Sequence, residues 1–96
     1  MSRWLVEKQL SASAERLRSL RSELAVIDEQ LAALAGVADE SRLRALVSET
    51  PLADHEHAEA RKHAEAMASH REQVVRSIDK LERSQDELLD RLLAER

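Results

Sequence analysis

Residues 6–34 read VEKQLSASAERLRSLRSELAVIDEQLAAL, and the spacing of their apolar side chains decides the fold. Leu10, Leu17, Leu24 and Leu31 fall seven apart, with Val6, Leu20, Ile27 and Leu34 interleaved, so the stretch carries a 3-4 heptad broken only at Ser13. That repeat places one apolar seam along a long helix, which needs a second helix to cover it. Outward from this core, Gly36 stands where a left-handed C-cap belongs, which predicts a first helix over about residues 2–35. Thr50-Pro51 is a second punctuation point: Thr is a competent N-cap, and Pro at the first helical position gives up an N–H that had no partner. A last helix is expected there, over about residues 51–95. Between the two, Asp39 is expected to cap a short helix over about residues 40–48, whose Leu43, Leu46 and Val47 would fold over Leu52, Ala53 and Ala60.

The last helix carries its own seam in Ala60, Ala64, Met67, Val74, Ile78, Leu81, Leu88 and Leu92, with Arg71 and Gln85 as polar members. If it returns antiparallel, facing residues have numbers that add to a constant. A constant near 98 pairs Leu10 with Leu88, Leu24 with Val74 and Leu34 with Ala64. It also sets Ser13 against Gln85, so the polar break in each seam meets the other, as buried polar groups require. Arg71 falls beside Ile27, close enough for its head to reach Asp28 while its stem packs. The expected fold is therefore all-α: an antiparallel coiled-coil hairpin of two long helices with a short connecting helix at the tip, one domain over residues 1–96. A lone two-helix pair buries little surface per residue, so dimerisation into a four-helix bundle is expected as well.

Composition points the same way. Aromatic residues make up 1% of the chain and charged residues 35%, which suits Leu- and Ala-rich helices better than an aromatic core. The net charge is −4, and Arg and Glu are interspersed, so the one-signed basic stripe of a nucleic-acid surface is missing. With no Cys there is no disulfide, thiolate or Cys-ligated zinc. No run of apolar residues has the length of a bilayer span or a signal peptide, so a cytoplasmic protein without membrane or nucleic-acid partners is expected. The preference for Arg over Lys and the abundance of Ala fit a GC-rich bacterial coding sequence.

Four places carry candidate chemistry. His55, His57, His63 and His70 lie among glutamates, and a His-rich metal-binding helical protein is one reading; the spacing matches neither His-Glu-x-x-His nor Glu-x-x-His, so exposed histidines and no metal are expected. No nucleophile elbow or phosphate loop is present, so neither a catalytic residue nor a cofactor is expected. Asp39, Glu40, Glu49 and Asp54 gather acidic charge at the tip. In outline, a hairpin with an acidic tip resembles the coiled-coil hairpins of bacterial transcript-cleavage factors. That resemblance implies a transcription regulator acting on RNA polymerase, with tip carboxylates presented to the active-site magnesium; it covers the hairpin shape and tip only. At the open end, Trp4, Leu5, Leu89 and Leu93, with Val26 along the first helix, are apolar residues the seam does not use. They are the candidate interface of a non-catalytic interaction or adaptor module that pairs with itself and with another protein.

Overall fold

A computed structural model describes residues 2–94. The chain forms two helices, α1 (Arg3–Ser48, 46 residues) and α2 (Pro51–Ala94, 44 residues), as a helical hairpin would. Each start is capped by the residue its sequence offers. The Leu5 amide donates to Ser2 Oγ at 3.2 Å, and the Ala53 amide donates to Thr50 Oγ1 at 3.2 Å. Both bonds satisfy amides that have no partner inside the helix.

The short third helix does not exist as a separate element. α1 runs unbroken through Gly36, which takes no positive φ, and Asp39 lies inside the helix rather than at a cap. Gly in a helix interior costs only about 1 kcal/mol relative to Ala, and the strong formers around it outweigh that. The helix stops instead at Glu49, whose φ of 51° is left-handed; its amide still donates to the Ala45 carbonyl at 3.1 Å. Pro51 then fixes the direction of α2. The expected cover of Leu52 by Leu43, Leu46 and Val47 is absent too, because all four side chains are exposed.

A longer seam replaces that cover. Apart from Ala14, the buried and half-buried positions of α1 run 6, 10, 13, 17, 20, 24, 27, 31, 34, 38, 41 and 45, a 3-4 heptad that continues past Gly36 to the end of the helix. On α2 the corresponding 3-4 series is 53, 57, 60, 64, 67, 71, 74, 78, 81, 85, 88 and 92, with Ala58, Glu59 and Ala68 half-buried beside it. Toward the turn the seam is lined by small residues, Ala38, Ser41 and Ala45 on α1 and Ala53, Ala60 and Ala64 on α2.

The chain divides into two compact units. One contains the residues up to Leu24 and those from Gln73 on. Its core is Val6, Leu17, Leu20, Val74, Ile78 and Leu88. An ion pair between Arg21 and Glu82 at 3.7 Å crosses from one helix to the other. Ser13 lines one concavity with both Leu81 and Leu88, which bracket Gln85 by a turn on each side, so the antiparallel register expected for that layer holds. The hydroxyl of Ser13 nevertheless has no hydrogen-bond partner, so the expected Ser13–Gln85 polar layer is not closed by a bond.

The other unit, Ala25–Glu72, holds the turn. Its buried side chains are Ile27, Ser41 and Ala53, and the alanines of this unit offer little area to remove from water. Arg71 Nε donates to Asp28 Oδ1 at 2.6 Å, as the sequence register requires, and Arg44 pairs with Glu56 at 3.6 Å. These pairs are about half exposed and contribute at most about 1 kcal/mol each. They fix alignment more than they add stability.

Candidate functional site: two exposed ends and a polar seam layer

The open-end residues emerge where the helices start and finish. Trp4 is 63% exposed, and Leu5, Leu89 and Leu93 are exposed beside it in the same unit. The Lys8 ammonium sits 5.5 Å from the centre of the Trp4 ring, a cation–π contact. Val26 is exposed as well but belongs to the other unit, so the five candidate interface residues do not form one patch within either unit.

At the turn, Asp39, Glu40, Glu49 and Asp54 are all exposed, and among the described residues none of them makes an ion pair. Glu49 is held at the point of reversal by its left-handed backbone. Around these carboxylates stand the large apolar side chains that sequence reading had assigned to a packed cover: Leu43, Leu46, Leu52 and Val47, the last 85% exposed. Each unit thus mixes charge with uncovered hydrocarbon.

The histidines separate by environment. His55, His63 and His70 are exposed, whereas His57 occupies a seam position and is half-buried. Its Nδ1 lies 3.2 Å from the hydroxyl of Ser41, a side chain only 4% exposed. The Ser41 hydroxyl has a single proton, which it donates to the Ala38 carbonyl at 2.8 Å. The proton of the second bond must therefore come from the imidazole, so His57 Nδ1–H donates to Ser41 Oγ. Among the described residues, no three His, Asp or Glu side chains converge as a metal-ligand set. The role of His57 was missed because the seam was read back only to Ala60; continuing the 3-4 spacing one step N-terminal reaches 57, and one step more reaches Ala53.

Unit one also carries an open groove of about 550 Å³ between α1 and α2. Gln9, Ser13, Arg16, Ser84, Glu87 and Arg91 supply its polar lining, over a floor of Leu81 and Leu88. Along α2, Arg83 pairs with Asp79 at 2.7 Å, while Glu87 and Arg91 make no ion pair among the described residues. Among the described residues, Arg16 likewise makes no ion pair. No helix among the described residues is long and apolar enough to cross a membrane. Comparison with known proteins adds no relative: no family model matches this chain, and no curated protein or solved structure is similar to it.

Proposed function

We propose that this chain is a non-catalytic, coiled-coil interaction module that pairs with itself, as a homodimeric four-helix bundle, and presents a surface to a client protein. The observation that carries this reading is uncovered hydrocarbon in each unit: Trp4, Leu5, Leu89 and Leu93 in one, Leu43, Leu46, Val47 and Leu52 in the other. Contiguous apolar surface on a small protein marks contacts with other molecules. A two-helix pair with an alanine-lined seam also gains from a second pair laid against it. Cytoplasmic placement and a bacterial origin rest on composition, namely the cysteine-free chain and its Arg- and Ala-rich usage.

Light scattering at micromolar concentration is expected to report about twice the chain mass of 10.9 kDa. Replacing Leu5→Glu together with Leu89→Glu is expected to shift the mass to that of one chain, because two carboxylates cannot be desolvated in an apolar contact. A wild-type chain that stays single at high concentration counts against the reading.

A second reading draws support from the unpaired carboxylates at the turn. Asp39, Glu40, Glu49 and Asp54 are exposed in the unit that holds the turn, and carboxylates of that kind are what an acidic tip directed at RNA polymerase would use. Copurification with RNA polymerase that is lost when Glu49 and Asp54 become Ala favours that reading; no copurification removes it.

A further inference from the structure

Within the unit Ala25–Glu72, an open concavity of about 360 Å³ is lined by Leu34 of α1 and by His63, Ala66, Met67 and His70 of α2. Leu34 and Met67 are half-buried members of the seam, while His63 and His70 are exposed. The spacing accounts for the convergence. Positions 63, 67 and 70 lie four and three apart, so they share one helix face, with neighbouring Cβ atoms about 5–6 Å apart. The two imidazoles are two turns apart, about 10.5 Å along the axis, and the Met67 thioether stands between them.

That set of donors is selective. No carboxylate lines the concavity, and Glu59, one turn before His63, pairs with Lys62 at 3.5 Å. Magnesium and calcium take oxygen ligands, which the concavity does not offer. Zinc takes three or four Cys, His or carboxylate ligands, and no three such side chains converge among the described residues. Imidazole together with thioether is the ligand class of a soft ion, above all Cu(I). Leu34 and Ala66 supply an apolar wall that limits the access of water to such an ion. His70 already interacts with its own protein; an imidazole has two ring nitrogens, so one held by the protein orients the other toward a metal.

We propose that His63, Met67 and His70 form a binding site for Cu(I), complete within one chain and made of none of the residues assigned above to self-association. One nitrogen from each imidazole and the Met67 sulfur are the ligands. All three bind as neutral groups, so the occupied site carries the single positive charge of the ion.

The test titrates the full chain by calorimetry, without oxygen, with Cu(I) held in dilute acetonitrile. One equivalent per chain is expected, with the circular dichroism spectrum unchanged because the helices form without the ion. His63→Ala, His70→Ala and Met67→Leu are each expected to weaken binding by about tenfold or more. His55→Ala, at a histidine outside the concavity, is expected to leave it unchanged. With Ag(I) as a redox-inert substitute, the Met67 methyl resonance is expected to move, whereas that of the other methionine, Met1, is not. Absence of binding at micromolar chain concentration overturns the site. So does full affinity in the chain carrying His63→Ala and His70→Ala together, a loss with His55→Ala as large as with His63→Ala, or an unmoved Met67 methyl. Zn(II) bound as tightly as Cu(I) overturns the soft-ion assignment.

Discussion

Ser41 and His57 join the seam of α1 to that of α2 by a side-chain hydrogen bond. Its proton assignment follows from counting: Ser41 Oγ has one proton, and the Ala38 carbonyl can only accept it. Ser41→Ala removes the acceptor and leaves a half-buried imidazole N–H without a partner, so a loss of about 1–2 kcal/mol is expected in chemical denaturation. Replacing both partners, Ser41→Ala with His57→Leu, is expected to recover most of that loss, since the polar requirement disappears from the layer. If the double variant is as unstable as the sum of the singles, the two side chains do not act as a pair. Nitrogen-15 NMR provides a separate check, with the neutral His57 expected as the Nδ1–H tautomer.

Where each helix ends is a contest between local backbone preference and continuous burial. Gly36 lost that contest and Glu49 carries the reversal. Gly36→Ala meets nothing within 4 Å of the new Cβ and removes a flexible residue from a helix interior, so a gain of about 1 kcal/mol is expected. Glu49→Gly relieves a side chain held at φ 51° and is expected to stabilise by about 0.5–1 kcal/mol. Opposite signs in thermal melts would place the reversal elsewhere. Both substitutions run against what residue type alone advises, which is to leave the glycine as the cap. The 3-4 spacing of Ala38, Ser41 and Ala45 was available to correct that advice. Alanine and serine are weak hydrophobic markers, however, and the exposed Leu43, Leu46 and Val47 competed for the assignment.

Core content differs between the units, and stability should follow it. Leu17 is 2% exposed and Leu34 only half-buried. Leu17→Ala is expected to cost about 2–4 kcal/mol. Leu34→Ala is expected to cost clearly less, because much of that side chain already meets water. Equal losses in urea titration would mean that Leu34 is covered by something outside its own chain, as a second copy would cover it. Hydrogen exchange should show the same contrast, with slower exchange in the unit of Val6, Leu20 and Ile78 than around the turn.

The heptads of residues 6–34, matched with the seam from Ala60 to Leu92, determined that this chain is helical, that its helices meet along a seam, and that the second returns antiparallel in a register that sets Arg71 beside Asp28. That much is legible because a 3-4 period repeats many times, and each repeat votes for the same face and the same alignment. The candidate site was legible only as composition: acidic residues near a turn, and apolar residues near the termini. Tertiary structure alone decided that Gly36 stays helical, that His57 rather than the other three histidines enters the seam, and that the Ser13 hydroxyl is buried without a partner among the described residues. These outcomes turn on single residues whose local preferences are worth about 1 kcal/mol each, and packing along the whole seam outweighs preferences of that size.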